Sequence, residues 1–337
     1  MFTGIGFVRA MLLGCFGVMC SGGPVLAAAP LASSAAAPAP IKIIIDTDVG
    51  DDIDDSFALA WALANPRFEV VAITSAWGDT TLRDRMIRRI LATMGREGIP
   101  IGHGRATQNR TVFTQRHWAE AASPLARPPT DATALMTEKI RRHPGKIVLV
   151  ALAPLTNIGA LIDRDPETFR KLKAVVVMGG SIERGYNSGN GAVPGSPPSA
   201  EYNAAMDPAS LRKLLASGVP VVLFPLDSTQ VKFQEIERDR LLGNGGPISE
   251  MLAALYHQWR LNNEWGQSTP TLFDTLPLAW LLDPSLCPAR PMRVEVADDG
   301  RTRPGTGAAN SMVCIEARDR QVIDAMMKNL LESPDQR

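Results

Sequence analysis

After Pro40 the sequence alternates between short apolar runs and longer segments with helical periodicity, and this alternation restricts the fold more than any other feature. The apolar runs are continuously rich in Val, Ile and Leu, which is typical of strands buried on both faces of a parallel sheet. The sequence therefore predicts an α/β fold with a doubly wound, mostly parallel central sheet flanked by helices. Strands are predicted at Ile41–Ile45, Glu69–Thr74, Ile147–Ala151, Ala174–Met178 and Val219–Phe224.

Helices are predicted between and after these strands, and several end at Pro-containing turns such as Asn65-Pro66 and Asp165-Pro166. Two late β-like runs, near Met292–Val296 and Met312–Ala317, are compatible with a small hairpin. The predicted helices of the α/β part are Asp54–Ala64, Leu82–Gly95, Ala132–Arg142, Thr156–Arg164 and Pro208–Ser217. Extra C-terminal helices are predicted at Ile248–Asn262, Phe273–Leu282 and Val322–Leu331.

The N-terminal segment has the order of a secretory signal: Arg9, then an apolar run from Ala10 to Val18, then small residues. We therefore expect residues 1–29 to be a signal peptide cleaved near Ala27–Ala29, and the protein to be periplasmic or secreted. Residues 30–40 are rich in Ala and Pro and predict a disordered tether. Residues 41–337 contain no second linker and predict a single domain.

Composition excludes some classes of partner and leaves the cysteines open. The 35 basic and 35 acidic side chains balance, so there is no electrostatic footprint for nucleic acid or for an anionic membrane surface. Once the signal is removed, Cys287 and Cys314 remain. They form either one disulfide or two separate buried thiols. Neither CxxC pairs nor zinc-ligand spacing occurs.

The most informative segment is Asp46–Asp55, where six carboxylates within ten residues follow a predicted strand. In a parallel sheet the carboxyl ends of the strands line the ligand crevice. Six carboxylates there repel one another unless a cation lies among them, and such oxygen ligands suit Ca²⁺ or Mg²⁺ rather than zinc. The alternative is that Asp54 and Asp55 only cap the next helix. Capping needs one residue and contributes about 1 kcal/mol, so we favour a metal site.

This segment resembles the N-terminal signature of the inosine–uridine-type nucleoside hydrolases, Asp-x-Asp-Pro-Gly-x-Asp-Asp after the first strand. Asp46-Thr47-Asp48-Val49-Gly50 matches its start and Asp54-Asp55 its paired aspartates, with Val49 in place of proline. Two extra residues lengthen the loop, so Asp51 or Asp52 is a further candidate ligand. The resemblance covers about Ile41 to Leu282 through four more elements in order: Ala153–Asn157, Met178–Gly180, Ala200–Asn203 with Asp207-Pro208, and Leu272–Leu276.

The resemblance implies a nucleoside hydrolase-like catalytic domain that cleaves the N-glycosidic bond of small ribonucleosides to ribose and free base. It implies that Ca²⁺ binds a water and the ribose 2′- and 3′-hydroxyls, and that Asp48 takes a proton from this water. A homo-oligomer is common among such proteins. The implied calcium ligands are Asp48, Asp55, the carbonyl of Leu152 and Asp274. The implied substrate-binding residues are Asp54, Asp79, Asn190 (with Asn187 as a second candidate), Glu201 and Asn203.

One departure bears on the leaving base. Phe273 stands where the family has a histidine before the late aspartate, which removes one proton donor to the base and leaves purine or pyrimidine preference open. His257, Tyr256 or stacking on Trp259 or Trp265 are alternative sources of leaving-group activation.

Two rival interpretations stay open. Strand-Asp-x-Asp also begins the Mg²⁺-dependent haloacid-dehalogenase-like phosphatases, whose first Asp is the nucleophile. In this chain Gly50 stands where those enzymes have Thr or Val, and Asp54-Asp55 has no role in that scheme. The second rival is a non-catalytic protein that binds a ribosyl ligand, against which the presence of Asp48, Asp55 and Asp274 argues.

Overall fold

The computed structural model describes Met1 and residues 39–122, 129–187 and 196–333. The predicted signal peptide and nearly all of the predicted tether lie outside the described residues, and so does Asn190. Export and the division of the chain into these segments therefore stay predictions. Among the described helices, none combines the length and apolar character needed to cross a membrane.

Strands and helices alternate through the first two thirds of the chain. They are β1 (Ile41–Thr47), α1 (Asp54–Ala64), β2 (Phe68–Ser75), α2 (Thr80–Thr93), β3 (Ile101–His103), α3 (Arg116–Glu120), β4 (Thr130–Asp131), α4 (Ala132–Arg142), β5 (Ile147–Ala151), α5 (Thr156–Arg164), α6 (Pro166–Phe169), β6 (Ala174–Met178), α7 (Tyr202–Met206), α8 (Pro208–Ala216) and β7 (Val221–Phe224).

The last third is mainly helical. It contains α9 (Leu226–Thr229), α10 (Glu235–Leu242), α11 (Pro247–Asn262), α12 (Thr275–Leu282), a 3₁₀ turn (Pro284–Leu286), β8 (Arg290–Met292), β9 (Val294–Val296), β10 (Thr302–Pro304), β11 (Ser311–Val313) and α13 (Asp319–Glu332).

The central sheet confirms the predicted doubly wound architecture. Over the described part of the chain its strand order is β4-β3-β2-β1-β5-β6-β7-β11-β8, and every neighbouring pair is parallel except β11 and β8. The chain moves outward in one direction from β1 to β4 and in the other from β5 to β7. The order thus reverses between β1 and β5, and ligands of such sheets bind beside the carboxyl ends of the strands at this point.

Each central strand supplies side chains to both faces of the sheet. Ile43 and Ile45 of β1 belong to one hydrophobic cluster, and Ile44 between them belongs to the other. Because successive side chains of a strand point to opposite faces, a continuous apolar run is buried on both. Helix α1 is buried along its whole length and packs against α11, α12 and α13. This burial explains why it is apolar without a polar stripe.

The late β-like runs pair as predicted, but within the sheet rather than as a separate hairpin. Strands β8 and β11 are antiparallel, and β11 also joins β7 in parallel. The residues between them form a second antiparallel pair, β9 with β10. A disulfide joins Cys287 and Cys314, whose Cα atoms are 5.7 Å apart. This selects one of the two alternatives left open by the sequence.

Candidate active site

A cavity of about 500 Å³ opens at the carboxyl ends of β1, β5 and β6, next to the reversal of strand order. It therefore lies where a doubly wound sheet is expected to bind its ligand. Carboxylates, amides and aromatic rings share its wall. The lining residues are Asp48, Asp51, Asp52, Asp54, Asp55, Thr111, Leu152, Met178, Tyr186, Asn187, Glu201, Tyr202, Asn203, Trp265, Gln267, Phe273 and Asp274.

Two distant parts of the chain bring carboxylates together on this wall. Carboxylate oxygens of Asp54, Asp55 and Asp274 lie within 4.8 Å of one another, and all three side chains are buried. Asp54 and Asp55 begin α1, whereas Asp274 directly precedes α12. Among the described residues, none of the three carboxylates caps its helix. The capping alternative therefore does not account for their position, and Asp48 lines the same cavity.

Burial and mutual repulsion disfavour the ionised forms of this cluster. Burial, then the charge of Asp55, raise the pKa of Asp48 well above its usual value, against the opposing charge of Arg83. Burial, then the charge of Asp54, raise the pKa of Asp274 well above its usual value. Burial raises the pKa of Asp55 to about 7, although the Thr47 hydroxyl donates to it. A cation bound among these carboxylates would favour their ionised forms and so lower these pKa values.

The donor set fits a hard divalent cation. Three carboxylates offer oxygen atoms: those of Asp54, Asp55 and Asp274. Leu152 also lines the cavity, and its backbone carbonyl is a further oxygen donor. Oxygen ligands of this kind match the preferences of Ca²⁺ and Mg²⁺.

The Asp-rich loop is shaped by a close backbone approach. Gly50 has φ +126°, and a Cβ at this position would overlap the ring of Phe113. Glycine is therefore required both by the conformation and by the contact. The backbone N–H of Gln115 donates to the Gly50 carbonyl at 3.1 Å, which ties the loop to the segment after β3.

The polar residues of the α7 region have structural partners of their own. Glu201 accepts hydrogen bonds from the backbone N–H groups of Gly180, Asn203 and Ala204, at 2.8–3.0 Å. The Asn203 side-chain amide donates to the carbonyl of Leu152 at 2.9 Å. Both residues line the cavity, so the structure places them beside the carboxylates, with Asn203 also holding a carbonyl group that the resemblance assigns to the metal.

Two other sequence-predicted substrate residues lie elsewhere. Asp79 caps α2 by accepting a hydrogen bond from the Leu82 N–H at 3.0 Å, and it is not among the described residues that line the cavity. Asn190 lies outside the described residues. The alternative candidate, Asn187, lines the cavity. The substrate-binding roles of all three stay predictions.

Aromatic side chains form another part of the wall. Phe273 lines the cavity and packs edge-on against Tyr186, with ring centroids 6.3 Å apart. Trp265 also lines the cavity, whereas Trp259 is a core residue and His257 is exposed. Of the candidates for leaving-group activation considered in the sequence, Trp265 is thus the one that the described structure places at the site.

No prediction from the sequence covers several residues that lie near the acidic loop but belong to other parts of the chain. Arg83 is fully buried, and its positive charge lowers the pKa of Asp48 and of Asp55 against the effect of burial. Thr111, Tyr202 and Gln267 line the cavity. The one available signal was Arg83 itself, on a predicted helix with an apolar side, but nothing local connects that position to β1.

Comparison with known proteins gives consistent matches. Residues 43–327 match the family described as inosine-uridine preferring nucleoside hydrolase. The chain is 32% identical over 266 residues to the pyrimidine-specific ribonucleoside hydrolase of Citrobacter koseri, covering 73% of this chain and 80% of that relative. Two solved structures share the fold. A plant nucleoside hydrolase has a TM-score of 0.75 at 24% identity and covers 87% of this chain and 99% of its own. The purine-preferring ribonucleoside hydrolase of Gardnerella vaginalis has a TM-score of 0.71 at 22% identity, and the match covers 86% of this chain and 98% of that one.

Proposed function

Because the chain belongs to the inosine-uridine preferring nucleoside hydrolase family, we propose that it hydrolyses the N-glycosidic bond of ribonucleosides to ribose and free base, with Ca²⁺ as its cofactor. The observation that carries this proposal is the convergence of Asp48, Asp54, Asp55 and Asp274 on one cavity wall at the reversal of strand order. Carboxylates so placed match the ligands that hard divalent cations prefer.

The metal ligands in this proposal are Asp48, Asp55, Asp274 and the Leu152 carbonyl group, with Asp54 next to them. When bound, the cation would lower the pKa of a water and bind the ribose hydroxyls. Asn203 positions the Leu152 carbonyl group by its hydrogen bond of 2.9 Å. The structure thus supplies a reason for a buried amide at this position that is independent of any contact with ribose.

Asp48 is the proton acceptor in this proposal. Cleavage of a ribosyl C–N bond passes through an oxocarbenium-like state, so the site must deprotonate a water and stabilise positive charge on the sugar. Asp48 is buried on the cavity wall, where a cation bound to it would favour the ionised carboxylate that can accept a proton. The neighbouring carboxylates favour the developing positive charge. Phe273 and Trp265 supply apolar surface for the base.

The structure gives a specific argument against the phosphatase alternative. Its nucleophile would be Asp46, the first aspartate of the motif. Asp46 is not among the described residues that line the cavity. Its Oδ1 accepts hydrogen bonds from the Thr74 hydroxyl at 2.5 Å and from the Asn157 amide at 2.8 Å. A carboxylate enclosed in this way has no access to a phosphate group.

The test is ribose release from a panel of purine and pyrimidine nucleosides, with Ca²⁺, with Mg²⁺ and with a chelator. The named relatives differ in base preference, so both base classes are needed. We expect chelation to abolish release and Asp48→Asn to lower kcat by at least 100-fold, since general-base catalysis contributes about 10² to 10⁴. A matched control is Asp163→Asn, at an exposed aspartate paired with Lys213. Release that is unaffected by the chelator, or absent from every nucleoside in the folded, calcium-loaded protein, would contradict the proposal.

A further inference from the structure

Arg83 of α2 is fully buried, and its guanidinium joins the acidic loop to the turn after β2. Nη1 donates to the carbonyl of Asp48 and, at 3.0 Å, to that of Val49, while Nη2 donates to Asp51 Oδ2 at 2.9 Å. Nε donates to the Trp77 carbonyl at 2.8 Å. A planar guanidinium that is held at all three nitrogens has one orientation, so it fixes its acceptors relative to one another.

A chain of hydrogen bonds leads from Arg83 to the carboxylate of Asp55. The peptide group between Asp48 and Val49 accepts from Arg83 through its carbonyl, and its N–H donates to the Thr47 hydroxyl at 3.1 Å. That hydroxyl in turn donates to Asp55 Oδ1. Because a peptide group is planar, the direction of its carbonyl sets the direction of its N–H. Arg83 therefore fixes the backbone of Asp48 and, through one hydroxyl, the carboxylate of Asp55.

The turn that supplies the fourth acceptor has a strained backbone. Trp77 has φ +62°, and among the described residues it is the only one other than glycine with a positive φ. This left-handed conformation is disfavoured for L-residues and is rare for an aromatic one. Such strain persists only where surrounding contacts hold it, and it is concentrated at functional sites. The Trp77 carbonyl accepts from Arg83, so the arginine is one of the contacts that hold this turn.

The later half of the acidic loop has separate anchors. The Thr114 hydroxyl donates to the Asp51 carbonyl at 2.7 Å, and the Gln115 side chain donates to the Asp52 carbonyl at 2.7 Å. These two bonds do not involve the guanidinium, so the loop keeps them when Arg83 is replaced. The effect of such a replacement is therefore expected at the beginning of the loop, where Arg83 donates to two consecutive carbonyls.

We propose that Arg83 is a positioning residue that raises the calcium affinity of the site by holding Asp48 and Asp55 in place before the cation binds. This inference rests on the proposed function, in which both carboxylates are metal ligands. Groups that orient metal ligands strengthen binding without touching the metal, and their loss typically lowers affinity or activity 10- to 100-fold. The positive charge of Arg83 alone would oppose a cation, so its favourable effect comes from geometry.

The decisive variant is Arg83→Lys, studied by calorimetric titration of Ca²⁺ into the folded protein. Lysine keeps the positive charge but replaces the fork of donors by one ammonium group, which cannot reach the acceptors of both loops at once. We expect the Kd for Ca²⁺ to rise about 10- to 100-fold. A role that is only electrostatic predicts no change, because the charge is retained.

Arg89→Lys is the matched control on the same helix. Arg89 lies over the Trp118 ring, 4.2 Å from its centroid, and donates to the Trp118 carbonyl at 2.6 Å. Neither residue is among the described residues that line the cavity. We expect this control to lower Tm in chelator and to leave the Kd for Ca²⁺ within about twofold of the wild-type value.

Two results would overturn the inference while leaving the nucleosidase function intact. In the first, Arg83→Lys lowers Tm but binds Ca²⁺ within about twofold of wild type, so that Arg83 acts on fold stability alone. In the second, Arg89→Lys loses as much calcium affinity as Arg83→Lys, so that general destabilisation of α2 accounts for both. A folded wild-type protein that binds no Ca²⁺ would overturn this inference together with the proposed cofactor.

A double variant keeps the test decisive if Arg83→Lys does not fold. Arg83→Gln combined with Asp51→Asn removes one positive and one negative charge, so the net charge is unchanged and neither partner of the ion pair is left as an unpaired buried charge. Glutamine is shorter than arginine and carries a single NH₂ group, so it cannot join the two loops. We expect the same loss of calcium affinity, and an unchanged affinity would overturn the inference.

Discussion

Replacing Asp274 with Asn should change stability in opposite directions with and without metal. Asp274 shares a buried group of oxygens with Asp54 and Asp55, all within 4.8 Å of one another. Without a cation, removing one of three crowded carboxylates relieves repulsion. With a cation, the same change removes a ligand that carries a full charge. The amide is almost the same size as the carboxylate, so packing at the start of α12 is preserved.

The distance sets the size of the relief. Two unit charges 4.8 Å apart repel by about 3.5 kcal/mol at an effective dielectric constant of about 20. Asp274 has two such neighbours, but burial and these neighbours raise its pKa well above the usual value, so proton uptake relieves part of the repulsion in the wild type. We therefore expect a net gain of about 2 kcal/mol in the free energy of unfolding in chelator, or about 4 °C in Tm.

The assay is thermal unfolding of wild type and Asp274→Asn in a chelator and across a calcium titration. Saturation at 100 times Kd adds about 2.7 kcal/mol to whichever protein still binds. We expect the variant to be the more stable protein in chelator and the less stable one in calcium, with the curves crossing. A variant that is destabilised equally in both conditions would refute the reasoning, because Asp274 would then act through packing. Asp163→Asn should change neither curve.

Two further predictions concern residues away from the carboxylates. Replacing both Cys287 and Cys314 with Ser should lower the free energy of unfolding by up to about 3.5 kcal/mol, which is the chain-entropy value for a separation of 27 residues, and should leave kcat/KM unchanged. Urea denaturation with and without reductant measures this change. An unchanged denaturation midpoint would contradict the prediction. Asp79→Ala should lower the free energy of unfolding by about 1 kcal/mol through loss of the α2 cap, without changing KM. A KM raised tenfold with stability intact would instead support the substrate-binding role predicted from the sequence.

The strand and helix pattern was predictable because it is local. Continuous apolar runs identified β1, β2, β5, β6 and β7 to within about two residues, since burial on both faces leaves no polar position in such strands. The shortest elements were missed. Strands β3 and β4 span three and two residues, too few to show a period, and they exist because the sheet edge offers them backbone partners.

By itself, the sequence determined the sheet and the position of the acidic loop at its carboxyl edge, because both follow from nearest-neighbour patterns. Only the tertiary structure brought Asp274 beside Asp54 and Asp55 and paired Cys287 with Cys314. It also brought Arg83 and Asn109 to one oxygen of Asp51, to which both donate. These contacts join residues far apart in the chain, and no local preference encodes them, since they form only when the helices pack on the sheet.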